Sequence, residues 1–499
     1  MLKYSTVLMA ALCLASACTT LPREVDRALD NPDQAGTRWG ILVQDETGND
    51  VFALRAEERF LPASNTKIVL SMAGYHHAEA LADLASFGTR LVLREHPDGV
   101  LPPDLILLGG GDAGLGDGPE CETTCLATLA DQFVEAGIKE ISSVIGDDTL
   151  FPDERWAPGW SQEDLQFHYG TAVSALSVND NTLYMEVEPA EEIGERAKIV
   201  WQEGDDLYSI KNELITVTPN PDRKDVVRLQ RDLASTEVRV FGQIAWNSEP
   251  RTLRVGVHDP ARLAAERFKR LLEARGIDVV GDVGVLHRPL SLRDDPEPVE
   301  AGARLVVYPA MGERPPVMEA FAVLPSSSLA ATQAEISKNS NNLHSELLLR
   351  RLGLIVGTGS RAQGLAVLDE MLIEAGVPEG AITLSDGTGM SIYNKVTPAG
   401  LVKLLDWARD QDWGAIWRAD QPIAGVDGSL ERRFRDTWLE GRLFAKTGTL
   451  NGVNALSGYM IAQSGRELIF SIIANDRPPM TPSATDEMQD ALLAIAARH

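Results

Sequence analysis

The sequence predicts an α/β (α+β) fold in which an antiparallel sheet with flanking helices is split by a long, mainly β insertion. Three observations carry that expectation. At 499 residues the chain is too long for one average domain. Segments rich in helix and strand signals lie on both sides of a central stretch. That stretch, from about Phe87, is made of short β-like runs broken by Gly, Pro and Asp. The balance of 44% hydrophobic and 24% charged residues is that of an ordinary globular protein.

Residues 1–17 read as an export signal: Lys3 supplies the positive start, Val7 to Leu14 the apolar core, and Ala15-Ser16-Ala17 the small-residue cleavage site. That run is too short to span a bilayer, and no later stretch approaches the roughly 20 apolar residues a transmembrane helix needs. Cys18 follows directly, so the site resembles a lipoprotein box, although Ala15 stands where such a box carries Leu. A lipid anchor at Cys18 and simple cleavage after Ala17 both stay open.

The first part of the outer domain spans residues 22–86. Trp39 to Val43 and Val51 to Leu54 read as strands around the turn Glu46 to Asn49. Pro62-Ala63 then leads into a helix whose buried stripe is Ile68, Val69, Met72 and Ala73. The insertion is assigned to residues 87–317. Its strand candidates include Thr89 to Leu93, Leu105 to Leu108 and Val238 to Phe241, with a nested subdomain at about 188–255. A helix from about Pro260 to Arg275 ends at Gly276, and the chain leaves the insertion near Arg314-Pro315-Pro316. The second part, 318–499, opens with helices near Ser326 to Ile336 and Asn342 to Leu352. It closes with strands Leu443 to Lys446, Ala455 to Ala462 and Glu467 to Ala474, and then a helix from Asp486 to Ala497.

The net charge of −27 argues against nucleic acid or anionic lipid as a general partner, because phosphates are repelled. An anionic substrate must therefore meet a local cluster of Lys and Arg. With Cys13 in the signal, the body keeps Cys121 and Cys125. A disulfide across that spacing fits an oxidising compartment if the segment is not a regular helix. Two cysteines without His partners are too few for a zinc site, so no metal and no cofactor are expected.

Three short motifs occur in order: Ser64-Asn65-Thr66-Lys67, Ser340-Asn341-Asn342 and Lys446-Thr447-Gly448. Each alone is weak. In combination they describe an activated nucleophile. Ser64 opens a helix and Lys67 lies three residues on, on the same face, where its amine stands beside the hydroxyl. The helix N-terminus leaves backbone N–H groups for developing negative charge. Lys446 to Gly448 continues an apolar strand, Leu443-Phe444-Ala445, and its Gly lets a substrate backbone approach and pair along the edge.

This set resembles the signature of the penicillin-recognising serine enzymes, with their transpeptidase-like domain. The chain is similar to the class C low-molecular-mass penicillin-binding proteins (penicillin-binding protein 4 type), a D-alanyl-D-alanine carboxypeptidase/endopeptidase family. Phe60 to Ser64, Leu107 to Asp112, Val173 to Asn181, Ser385 to Ser391, Ala424 to Leu430 and Ala445 to Leu450 all resemble stretches of that family. Ser64 to Ser340 is 276 positions and Asn342 to Lys446 only 104, which matches its long insertion. Asn341 departs from the Asp common at the middle of the second motif.

The resemblance implies a serine-type peptidase acting on peptidoglycan peptides, with β-lactam antibiotics as covalent inhibitors, in the periplasm or cell envelope. It makes Ser64 the nucleophile, Lys67 its proton acceptor, and Ser340 a relay to the leaving amine. Asn342 holds Lys67 and a substrate amide. Lys446 draws the terminal carboxylate, with Thr447, Gly448 and Thr449 beside it. The N–H groups of Ser64 and Thr449 form the oxyanion hole. Burial and the cation Lys446 both lower the pKa of Lys67. The competing readings are a serine β-lactamase and a catalytically silent envelope-binding module. Gly109, Gly111 and Gly114 satisfy a dinucleotide fingerprint, but no helix pattern follows at once. His76 and His77 read as packing or surface residues.

Overall fold

In the computed structural model, residues 21–84, 88–97, 99–118, 121–202, 207–222, 224–291, 294 and 319–499 are described. The export signal, Cys18 and the Arg314-Pro315-Pro316 exit lie outside them. Along the chain, helix α1 (Leu21–Leu29) precedes strands β1 (Arg38–Asp45) and β2 (Asp50–Leu54). Helices α2 (Thr66–His76) and α3 (Ala78–Leu84) follow. Then come β3 (Thr89–Arg94), β4 (Asp104–Leu108), α4 (Leu126–Glu135), β5 (Glu140–Ile141) and β6 (Val144–Pro152). A run of strands follows: β7 (Thr182–Glu188), β8 (Lys198–Trp201), β9 (Ser209–Val217), β10 (Val226–Gln230), β11 (Glu237–Ala245) and β12 (Arg251–Gly256). Helix α5 (Pro260–Glu273), β13 (Asp278–Val279), β14 (Gly284–Arg288) and β15 (Ala322–Leu324) lead to helices α6 (Leu329–Ser337), α7 (Asn342–Val356) and α8 (Arg361–Glu374). The last elements are β16 (Ile382–Thr383), β17 (Lys395–Val396), α9 (Pro398–Arg409), α10 (Gly414–Ala419), β18 (Leu443–Leu450), β19 (Val453–Ile461), β20 (Glu467–Asn475) and α11 (Thr485–Ala496).

These elements form two compact units: residues 1–65, 396–410 and 421–499, and residues 66–395 with 411–420. The first is built on one antiparallel sheet in the order β18-β19-β20-β1-β2. β19 and β20 are buried at almost every position, because helices cover both faces of the sheet. On one face Ile41, Leu456, Phe470 and Ile472 join a core with Val25 of α1 and Met488, Leu492 and Ile495 of α11. α9 packs on β1 and β20, and Tyr459 Oη donates to the Leu405 carbonyl at 2.7 Å.

In the second unit a mixed sheet runs β14-β6-β4-β3-β15, and α4 and α5 share its core through Leu129, Phe133, Ala265 and Phe268. Asp259 caps α5 by accepting from the Arg262 amide, and Pro260 opens the helix where its missing N–H costs nothing. β7, β8 and β12 form a three-stranded sheet, and β9, β10 and β11 form another whose β9–β11 pair is parallel. These two sheets share a buried cluster of Leu183, Met185, Val187, Leu214, Val238 and Val240. α2 packs against α6, α7 and α8 in the helical part of the unit.

Cys121 and Cys125 are joined, with Cα atoms 5.7 Å apart. Cys125 caps α4 from outside the helix, which leaves the segment irregular enough to close the bond. Among the described residues no helix is long and apolar enough to cross a membrane.

Candidate active site

In the first unit β18 carries Lys446, Thr447, Gly448 and Thr449, with Lys446 paired to Ser457 and Gly448 to Ala455 of β19. β18 is the edge strand of its sheet, and a bridge between Ile423 and Phe444 covers the start of its outer side. A Cβ at Gly448 would lie 2.7 Å from the Pro62 carbonyl oxygen and 3.1 Å from Ser64 N, both fixed backbone atoms. Glycine is what lets the strand pass this close to the serine. Asn65 Nδ2 donates to Ser457 Oγ at 2.8 Å and ties the serine's turn to β19. The Thr447 and Ser429 hydroxyls are 2.7 Å apart, which places the Ala424 to Leu430 block beside β18. Asn454 Nδ2 donates to Thr449 Oγ1 at 3.3 Å, and Lys446 is buried, 1% exposed.

Ser64 itself corrects the sequence reading. It sits in a 3₁₀ turn, Ala63–Asn65, and the α-helix begins at Thr66. The turn is tightened by Asn65 N donating to the Pro62 carbonyl at 3.2 Å, and Ala63 takes a left-handed φ of 47°. Neither feature has a signal in Pro-Ala-Ser.

In the second unit Lys67 is fully buried and donates to Asn342 Oδ1 at 2.7 Å and to the Thr388 carbonyl at 2.6 Å. Burial pulls its pKa down to about 7, and the carboxylates of Asp386 and Glu346 oppose that shift. Asn342 opens α7 and has its amide nitrogen 2.8 Å from the Tyr169 carbonyl and 3.1 Å from Met390 Sδ. Asn341 caps that helix by accepting from the His344 amide at 3.2 Å, the service an Asp would render. Ser340, just before the cap, has a φ of 58°.

Two carboxyls organise this half without having been assigned a role from sequence. Asp386 has no exposure and accepts five hydrogen bonds, from Trp160 Nε1, Thr388 Oγ1, Gly389 N, Ser391 N and Asn394 Nδ2, at 2.7–2.8 Å. It folds the Ser385 to Ser391 block into the loop that presents the Thr388 carbonyl to Lys67. Glu346, also buried, accepts from Gly387 N at 2.7 Å, while its Oε2 has no hydrogen-bond partner among the described residues. Burial first, then the neighbouring Asp386, raise its carboxyl to about 7. An acid on the buried face of Leu343 to Leu354 was the signal available for it.

The remaining sequence candidates are structural. His76 pairs with Glu374 at 3.2 Å, and His77 is held below its ordinary pKa by burial. After Gly109 and Gly111 comes a loop rather than a helix. There Gly111 N donates to the Ala175 carbonyl at 2.8 Å, joining the two insertion blocks.

A family model described as the D-Ala-D-Ala carboxypeptidase 3 (S13) family matches residues 21–296 and 310–499. The chain belongs to that family. Among S13-like relatives it is 31% identical over 514 residues to the D-alanyl-D-alanine carboxypeptidase of Actinomadura sp. (strain R39), covering 99% of this chain and 89% of that one. It is 24% identical to the D-alanyl-D-alanine carboxypeptidase DacB of Haemophilus influenzae, over 87% of this chain and 85% of that one. The crystal structure of penicillin binding protein 4 from Haemophilus influenzae shares the fold, with a TM-score of 0.76 at 21% identity, covering 95% of this chain and 97% of that one. The S13 chain is thus a mixed α/β penicillin-recognising serine-enzyme fold, and its antiparallel sheet is the one that carries Lys446 to Thr449.

Proposed function

We propose that the chain is a serine-type D-alanyl-D-alanine carboxypeptidase and/or D,D-endopeptidase that acts on peptidoglycan stem peptides through a Ser64 acyl-enzyme, and is acylated by penicillins at the same residue. The observation that carries this reading is the state of Lys67. A buried amine with a pKa near 7 is substantially neutral at neutral pH, and a neutral amine keeps a lone pair. Its N–H groups are engaged by Asn342 Oδ1 and the Thr388 carbonyl, which fixes the direction of that lone pair.

In the proposed reaction Ser64 Oγ bonds to the carbonyl carbon of the penultimate D-Ala while Lys67 takes its proton. The N–H groups of Ser64 and Thr449 receive the developing oxyanion, each worth a few kcal/mol in such sites. Ser340 relays a proton to the departing amine, and water then releases the acyl group. Lys446 supplies the charge for the terminal carboxylate, in a protein whose net charge of −27 otherwise repels it. Asn342 positions Lys67 and a substrate amide, and the Thr447 hydroxyl and Gly448 backbone border the bound chain. The solved complex of the Haemophilus influenzae relative with a β-lactam supports penicillin sensitivity here. Export to the periplasm or cell envelope, with either a lipid anchor at Cys18 or simple cleavage after Ala17, belongs to the same proposal.

A fluorescent penicillin should label the protein covalently and persistently, and Ser64→Ala should abolish the label. Equal labelling of Ser64→Ala would sink the assignment, rapid loss of label would indicate a β-lactamase, and no label at all a silent module. Incubation with purified muropeptides, with the products resolved, separates release of D-Ala from cleavage of cross-links.

A further inference from the structure

An Asp at position 341 would cap α7 as well as the Asn does, but it could not do what the other end of the Asn341 amide does. Nδ2 of Asn341 donates to Asp180 Oδ2 at 3.2 Å, while its Oδ1 accepts from the His344 amide. The second oxygen of Asp180 meets His344 Nε2 at 3.0 Å, and since a carboxylate only accepts, that nitrogen carries the hydrogen. His344 Nδ1 is buried without a hydrogen-bond partner among the described residues, so Asp180 is what holds the ring. One carboxylate therefore grips the cap of α7 and a side chain of its first turn, at the helix end where negative charge is favoured. His168 also feels that carboxylate, but burial and Arg254 hold it down to about 4, and it brings no charge to the cluster at neutral pH.

The backbone that aims Asp180 is strained. Asn179, Asp180 and Asn181 stand one after another in the left-handed region, at φ of 49°, 54° and 49°, and no glycine is among them. Such a run persists only where its surroundings fix it. Asn179 Oδ1 accepts from Asp117 N at 3.2 Å, and its amide nitrogen donates to the Asp117 carboxylate, which Arg267 also engages at 3.1 Å. Asn181 donates to the Ala172 carbonyl and to Ser177 Oγ, both at 3.0 Å, and accepts from Val178 N at 3.1 Å. The two flanking side chains lock the turn, and the one between them reaches across to α7.

We infer that Asp180 is a positioning residue for acylation, matched to Asn341, and that the two fix the backbone from which Ser340 and Asn342 act. Ser340, with a φ of 58°, precedes Asn341, and Asn342, which accepts from Lys67 Nζ at 2.7 Å, follows it. Freedom at the cap therefore moves the relay hydroxyl and the lysine's partner together. The match is one of donor and acceptor. A carboxylate at both positions sets two acceptors and two like charges face to face, whereas exchanging the two side chains restores one donor and one acceptor. This role rests on the proposed peptidase reaction, and no substrate contact is assigned to Asp180.

The test uses the full chain at neutral pH and the variants Asn341→Asp, Asp180→Asn and the double exchange. Asn tolerates a left-handed backbone as Asp does, so the turn itself is kept. Acylation by a chromogenic cephalosporin is followed against its concentration, which separates the rate at saturation from the half-saturating concentration, and calorimetric melting follows folding. In Asn341→Asp the saturating rate should fall about tenfold or more with the half-saturating concentration within about twofold, because the groups that handle the proton move while the binding surface stays. Asp180→Asn keeps an acceptor for Asn341 and should lose about threefold. The double exchange should return the rate to within about threefold of the parent, a non-additive recovery. A rate for Asn341→Asp equal to the parent's, or a double exchange no faster than Asn341→Asp, would overturn the match. A loss that follows only the folded fraction would overturn the positioning role. Should Asn341→Asp not fold, the double exchange decides: folding with acylation supports the match, and failure of either overturns it. A parent chain that the cephalosporin does not acylate overturns the peptidase reading and this role with it, whereas the other failures leave that reading intact.

Discussion

In the proposed reaction Lys67 serves as a base because burial denies it water. Its pKa is set by burial against the pull of two carboxylates, so the acylation rate should rise with pH through about 7 as the amine loses its proton. Stopped-flow acylation by a chromogenic cephalosporin between pH 5.5 and 9 measures this, and a flat profile would remove Lys67 from the proton transfer. Glu346 titrates in the same range, so the observed midpoint belongs to the pair. Glu346→Gln keeps an acceptor for Gly387 N but removes the charge that favours the ammonium form. Its profile should therefore shift to lower pH, and an unmoved midpoint would show that Glu346 does not act on Lys67. Asp386→Ala strips the acceptor from five donors, two of them buried backbone amides. It should cost about 3 kcal/mol or more and lower the melting temperature by several degrees.

At the scale of elements, β18 and the serine turn are matched surfaces, and Gly448 is where they touch. Gly448→Ala places a methyl against the Pro62 and Ser64 backbone, neither of which can yield as a side chain would. Acylation should fall at least about tenfold, with a stability loss of roughly 1–3 kcal/mol, followed by penicillin labelling rate and thermal melting. Wild-type labelling would mean that the strand yields freely. Much at this scale was legible in the sequence. The runs at Leu443, Ala455 and Glu467 became β18, β19 and β20, and the patterns at Pro260 and Asn342 became α5 and α7, because local periodicity follows burial directly. What could not be read was pairing between distant segments: β1 with β20, or β9 parallel to β11, where many registers bury similar surfaces. The motif residues were legible because their chemistry restricts which side chains can stand there. The left-handed backbone at Ala63 and Ser340, and the carbonyls of Tyr169 and Thr388, were not, since a backbone atom leaves no mark in a side-chain pattern.

For the molecule as a whole, an excess of acidic charge works against compactness. Raising salt from 20 to 300 mM should therefore raise the melting temperature measured by calorimetry, and a fall would mean that ion pairs such as Arg267–Asp117 outweigh the repulsion. A second consequence follows from the order of strands. β20, at residues 467–475, lies between β19 and β1, so the sheet that packs on the Ser64 turn joins residues near 40 to residues near 470. During synthesis that sheet has no central strand until almost all of the polypeptide has left the ribosome. The many local contacts of the intervening residues can settle long before. An N-terminal fragment thus contains Ser64 without the strands that pack against its turn. Under the proposed reaction, a chain threaded through a translocation channel from its N-terminus would gain the ability to be acylated only at the last step of its passage.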